Sequence, residues 1–196
     1  MTPGPIEALN GKPAADCVEA LAPLFEGAPG FLARLCGARP FGDWAAVFEA
    51  ARSVARSMPE AEQIALVDAH PRLGAAPGTV SALSYVEQGY DREAAGASAE
   101  NDGDRVGSEL DRLNRAYEAR FGFRYCTFVA GRPRAALLPE FERALTSGRS
   151  AELARALDAV VDIAEDRWRR AVRAESSEPA ARDGAHPERA GLPPAR

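Results

Sequence analysis

The sequence predicts an all-α protein: a single compact multi-helix domain with one buried extended connection and a disordered C-terminal tail. Three observations lead there. Alanine and arginine are abundant and β-branched residues sparse, a composition that favours helices. Apolar residues recur at three- and four-residue spacing along most of the chain. The one strand-like run, FRYCTFVA from Phe123 to Ala130, has no second run to pair with, so it reads as a buried extended connection. At 196 residues the chain fits one domain with a substantial core.

Residues 1–13, rich in Gly and Pro, should be irregular. From Ala14 to Glu26, Cys17, Val18, Leu21, Leu24 and Phe25 fall at helical spacing, and Gly27 stops that helix. Pro29 opens a second, carrying Phe31, Leu32 and Leu35 before Gly37. Asp43 is placed to cap a third, in which Trp44, Val47, Phe48, Ala51 and Val54 draw an apolar stripe up to Met58. A fourth helix, Glu60 to Ala69, delivers His70, where Pro71 disfavours further α conformation. Gly74, Pro77 and Gly78 then make a bend before a helix through SYVEQ. The stretch 91–107, DREAAGASAENDGDRVG, reads as a surface loop or a poorly anchored helix. Leu110, Leu113 and Tyr117 restore a helical face, which ends at Phe121-Gly122. The last helices run from Arg134 to Leu145 and from Ser150 to Arg173. The domain is thus expected over 1–174. In 175–196 Leu192 is the sole large apolar residue, too little to offset the entropy of ordering, and the segment is expected to be disordered.

Composition also limits function. A net charge of -5 and a pI near 5.2 leave no basic stripe for nucleic acid. No run of roughly eighteen apolar residues offers a membrane span, and the N-terminus lacks an apolar leader core. Three cysteines, Cys17, Cys36 and Cys126, form no paired spacing, which suggests small buried apolar residues, no disulfide framework and a reducing, cytoplasmic setting. With one histidine outside the tail there is no zinc ligand set, and no GxSxG elbow, phosphate loop or dinucleotide fingerprint is present. No metal and no cofactor is expected. What remains is acid–base chemistry on a small-molecule substrate.

The centre of that chemistry is His70 to Gln88. Ser84, Glu87 and Gln88 stand at i, i+3 and i+4, which sets a hydroxyl, a carboxylate and an amide on one helix face. His70 sits at a helix end, and His is the side chain that titrates near neutral pH. Each feature also has an ordinary structural reading: a histidine can merely complement a helix C-terminus, and a Glu-Gln pair can be a solvated face.

The order of HPRLG at 70–74, SYVEQ at 84–88 and FGFRY at 121–125, with RPF at Arg39 to Phe41 and the LNRAYEARFGF run, resembles the 2-oxo-4-hydroxy-4-carboxy-5-ureidoimidazoline (OHCU) decarboxylases of urate breakdown over roughly residues 8–172. The resemblance implies a cofactor-independent carboxy-lyase, a homodimer, that forms (S)-allantoin and CO2. By position it implies that His70 is the general acid and that Glu87 holds the imidazole or a substrate N–H. Pro71, Ser84, Gln88, Phe121, Gly122, Phe123, Arg124, Tyr125 and Arg167 would bind the substrate, Arg167 as a two-pronged fork. Two other readings remain open at this point: a paralogue acting on another ureido or purine-derived acid, and a non-catalytic helical binding protein.

Overall fold

Proline and aspartate set the helix starts. In the computed structural model, which describes residues 4–26, 28–79, 82–90 and 100–177, α1 (Ile6–Asn10), α2 (Ala14–Leu21) and α5 (Glu60–Asp68) each follow directly on a proline. In α3 (Pro29–Gly37) the proline occupies the first turn, where its missing N–H costs no hydrogen bond. Asp43 caps α4 (Trp44–Ser57), its Oδ1 accepting from the Ala46 N–H at 2.7 Å. The short α6 (Ala82–Glu87) precedes α7 (Glu100–Phe121), α8 (Leu138–Ala144) and the long α9 (Arg149–Ser177). Among the described residues there is no β-strand, and the architecture is all-α, as the composition predicts.

Four boundaries differ from the sequence reading. Ile6 and Leu9 bury enough apolar surface to make α1 within the expected irregular N-terminus, and Arg39 fixes it by donating to the carbonyls of Leu9 at 3.1 Å and Lys12 at 2.6 Å. α2 stops at Leu21, because Pro23 cannot continue a helix; Leu24 and Phe25 are still buried, in turns that follow. The expected stop at Gly27 lies outside the described residues. The expected Arg134 to Leu145 helix opens with a 3-10 turn, Arg134–Leu137, before α8; of 91–107, expected as a surface loop or a poorly anchored helix, residues 100–107 are helical as the start of α7, with Val106 buried, and 91–99 lie outside the described residues. α9 continues to Ser177, past the expected domain end, and the rest of the expected tail is outside the description.

The cysteine reading needs a correction. Cys17 on α2 and Cys36 on α3 are joined as a disulfide, with their Cα atoms 6.1 Å apart. The two helices pack side by side and both cysteines are buried on the facing surfaces, a proximity that the nineteen-residue separation does not announce. Cys126 is free and buried, as expected.

α9 is the spine. It packs along α4 and α5, while α3 lies against α2 and α4, and α7 against α8. Trp168 of α9 stacks on Trp44 of α4 at 5.6 Å between ring centroids. A second aromatic group surrounds Tyr117 and includes Phe121, Phe123, Tyr125 and Phe141. The segment after α7 is extended, unpaired and largely buried, as expected for FRYCTFVA. Its backbone groups find side-chain partners instead of a neighbouring strand. The Arg124 N–H donates to Asp68 Oδ1 at 2.8 Å, Arg155 Nη1 to the Cys126 carbonyl at 2.9 Å, and Arg132 Nη2 to the Phe128 carbonyl at 2.8 Å.

Candidate active site

The end of α5 carries the histidine. His70 is 4% exposed, and its Nδ1 faces the Leu66 carbonyl at 3.4 Å, which favours the tautomer with the proton on Nδ1. Nε2 is then an acceptor, buried and without a hydrogen-bond partner among the described residues. Burial, and next the nearby Arg167 guanidinium, pull the imidazole pKa down to about 4, although Glu26 and the Leu66 carbonyl oppose the shift. The ring is therefore neutral at pH 7.

Beyond Pro71 the chain turns sharply at Gly74, whose φ is +82°. A Cβ there would stand 2.8 Å from Leu110 Cδ1, so both the backbone angle and the approach of α7 require glycine. The Gly74 N–H donates to Gln88 Oε1 at 2.8 Å, and Gln88 Nε2 donates to the Arg72 carbonyl at 3.1 Å. Gln88 thus clamps the histidine loop to α6.

Arg167 organises the other side. This arginine of α9 has a side chain only 3% exposed and holds Glu87 by two bonds, Nε to Oε1 at 2.6 Å and Nη2 to Oε2 at 2.8 Å. Nη2 also donates to Glu26 Oε1 at 2.6 Å, and Nη1 to the carbonyls of Leu24 at 3.2 Å and Pro23 at 3.4 Å. These bonds occupy all five donors of a guanidinium. Ser84 Oγ donates to the same Glu26 oxygen at 3.0 Å. Burial raises the Glu26 pKa, but Arg167 and the Ser84 hydroxyl more than offset it and hold the carboxyl below its ordinary value. Glu26 itself sits at φ +50°, a backbone region uncommon for a residue with a side chain.

His70, Pro71, Ser84, Glu87, Gln88 and Tyr125 all line one cleft. The other expected ligands do not reach it. Phe121 and Phe123 are buried in the aromatic group around Tyr117, and Gly122, at φ +78°, terminates α7. Arg124 Nη1 is turned onto the carbonyls of Asp68 at 2.7 Å and His70 at 3.0 Å, so it braces the histidine turn from behind. Arg167 stands behind Glu87 and does not itself line the cleft. The continuation of the extended segment, Cys126 to Ala130, forms another wall, and α9 contributes Ile163, Asp166 and Arg170.

Glu26, the 126–130 wall, Asp166 and Arg170 were missed by sequence reasoning. Glu26 follows a helix and precedes a Gly and a Pro, so local pattern marks it only as turn. Arg170 lies in a run of arginines that periodicity alone cannot sort. Asp166 and Arg170 do lie three and seven residues after Ile163, on the face toward the cleft, and that spacing was the available signal.

A family model described as OHCU decarboxylase matches residues 10–169. A curated relative from Haloferax volcanii, 2-oxo-4-hydroxy-4-carboxy-5-ureidoimidazoline decarboxylase, is 32% identical over 150 residues, covering 76% of this chain and 84% of its own. Among solved structures, an (S)-allantoin synthase superposes with a TM-score of 0.61 at 17% identity over 85% of this chain; this chain spans 53% of that protein. An OHCU decarboxylase crystallised in the presence of (S)-allantoin superposes with a TM-score of 0.56 at 21% identity, covering 74% of this chain and 91% of that one. At these identities the two structures establish a shared fold.

Proposed function

The chain belongs to the OHCU decarboxylase family, and from that premise we propose how its cleft performs the reaction. It is a carboxy-lyase of purine degradation that takes 2-oxo-4-hydroxy-4-carboxy-5-ureidoimidazoline to allantoin and CO2. The substrate carries its carboxylate on a carbon next to a C=N bond. When the C–C bond to the carboxylate breaks, the electron pair moves onto the imine nitrogen, which takes a proton from solvent, so the ring itself acts as electron sink. An enol remains, and it must lose its hydroxyl proton and gain one on the adjacent carbon. Neutral His70, with Nε2 as acceptor, takes the hydroxyl proton and returns it to one face of that carbon.

The resting imidazole modifies the role expected of it: a group with a pKa near 4 has no proton on Nε2 to give before it has received one. Delivery from a fixed position gives a single enantiomer, assigned as (S). Glu87, held by two bonds from Arg167, anchors a ring or ureido N–H and fixes which face meets the histidine. Pro71, Ser84 and Tyr125 shape the cleft, and Gln88 holds the loop that carries His70. Arg167 works through Glu87. The chemistry needs no cofactor. The observation that carries this reading is the unpartnered, buried His70 Nε2 in the same cleft as the clamped Glu87 carboxylate.

The test is to supply freshly generated substrate and follow allantoin by circular dichroism. Rapid growth of the (S) signal is expected. Spontaneous decay at an unchanged rate, with allantoin still binding, points instead to a non-catalytic protein. A cytoplasmic homodimer is the expected setting by family, to be checked by light scattering and cell fractionation; among the described residues no helix is long and apolar enough to cross a membrane. Thiol titration of the isolated protein tests the compartment too, since a Cys17–Cys36 bond is unusual in a reducing cytoplasm.

A further inference from the structure

The substrate is an anion, and the cleft presents acidic groups to it. Glu87 and Asp166 line the cleft, with Glu26 behind. Arg167, whose five donors all end on protein acceptors, has none left for a ligand. Arg170 is the one lysine or arginine among the described lining residues. Its Nε forms an ion pair with Asp166 Oδ2 at 2.7 Å, without hydrogen-bond geometry, and its side chain is 41% exposed. Among the described residues it has no other ion-pair partner, so the edge formed by Nη1 and Nη2 is open to a second carboxylate, to which a guanidinium can donate while keeping the first.

The cleft is narrow, with a cavity volume of about 40 Å3, and it is partly open to solvent. Arg170 lines the same cleft as His70 and Glu87, so a ring bound between those two residues has the guanidinium among its neighbours. Building on the decarboxylase reading, we propose that Arg170 receives the carboxylate of the substrate and sets the preference of this cleft for carboxylated over uncharged ureido rings. An exposed cation suits a decarboxylase. A buried arginine gripping the carboxylate would stabilise the ground state more than a transition state in which that charge is leaving, whereas a half-exposed one captures the anion weakly and lets neutral CO2 go.

Steady-state kinetics of wild type, Arg170→Gln and Arg170→Lys, with substrate generated in the assay, together with calorimetric binding of (S)-allantoin, test this. For Arg170→Gln, KM should rise about twofold to fivefold, the usual scale for losing an exposed charge contact, with kcat unchanged within error. The KM of wild type should climb with added salt and that of Arg170→Gln should not. Arg170→Lys should recover most of the affinity, and allantoin, which has no carboxylate, should bind all three proteins alike. An active wild type with Arg170→Gln matching it in KM overturns the assignment and leaves the decarboxylase reading standing, as does an equal loss of allantoin binding. A wild type that does not accelerate decay overturns both.

Discussion

Arg155 and Arg167 stand on the same helix and invite the same description, yet they do different work. Arg155 pairs with Glu152, three residues away on α9, through Nε at 2.9 Å, lies over the Tyr125 ring at 4.7 Å, and ties down the Cys126 carbonyl, while its Nη2 is buried without a partner. Its pairing is local and would form in almost any arrangement of the neighbouring elements. Arg167 draws on Glu87 and Glu26, 80 and 141 positions away, and leaves no donor unused. One arginine supports a wall of the cleft. The other fixes the orientation of a carboxylate that lines the cleft. A buried arginine beside a cleft is thus to be judged by what its partners do next, not by its burial.

The comparison breaks most visibly at the groups that Arg167 serves. His70→Ala and Glu87→Ala should each keep the helical circular dichroism spectrum and lose about 10²-fold or more in kcat, the scale of a lost proton-transfer or positioning group. Near-normal turnover in either folded variant would remove that residue from the mechanism.

Next in size is the contrast between the two arginines. Arg167→Lys cannot reproduce a fork spread over two carboxylates and two carbonyls, so kcat should fall roughly 10- to 100-fold with a smaller change in KM. Arg155→Lys should leave kcat within about threefold and instead lower the urea midpoint, by about 1–3 kcal/mol of stability for the unsatisfied groups left behind. Equal effects on kcat would abolish the distinction. Glu26→Gln belongs with Arg167, because it weakens the hold on the guanidinium without emptying the space.

The smallest effect is on pH dependence. The folded-state pKa of His70 is depressed to about 4 from 6.5, so between those values the unfolded chain takes up a proton that the folded chain refuses. Stability should therefore be unaffected by this group above pH 6.5 and fall by about 3 kcal/mol as pH drops to 4. Glu26 acts in the same direction: its lowered carboxyl stabilises the folded state above the ordinary carboxylate range and ceases to do so as pH falls through its folded value. Urea midpoints of wild type and His70→Asn at pH 7 and 4.5 check the histidine part, which should vanish in the variant. In the same window kcat should stay flat down to about pH 5.5, and an inflection near 6.5 would show that His70 is solvated.

Local chemistry made much of this fold legible. Asp43, Pro29, the His70-Pro71 step and the Phe121-Gly122 step each act through their own backbone, so helix starts and stops could be read in place. Ser84, Glu87 and Gln88 share a face because helical spacing alone dictates it, and they do line one cleft. What could not be read depends on which elements meet. Periodicity indicates that Phe121 and Phe123 bury, but not that they bury against Tyr117 rather than a ligand. The Cys17–Cys36 bond depends on α2 lying beside α3, and the role of Glu26 depends on a loop meeting a helix from the far end of the chain. Motif order supplied a chemistry, and the side-chain geometry separates the residues that line one cleft from those packed behind it.

The ion pair from Glu26 to Arg167 also bears on how the molecule comes into being. It joins residues 141 positions apart, and the pair from Glu87 joins residues 80 apart, so neither exists in any fragment that lacks α9. Closing loops of that length costs chain entropy that local helix formation does not recover. During synthesis the histidine turn, α6 and the wall at 126–130 emerge first, and the carboxylate of Glu87 lacks its orienting partner until the last helix docks. With Glu87 in the role proposed for it, turnover followed during refolding should report the docking of α9 rather than the appearance of helix.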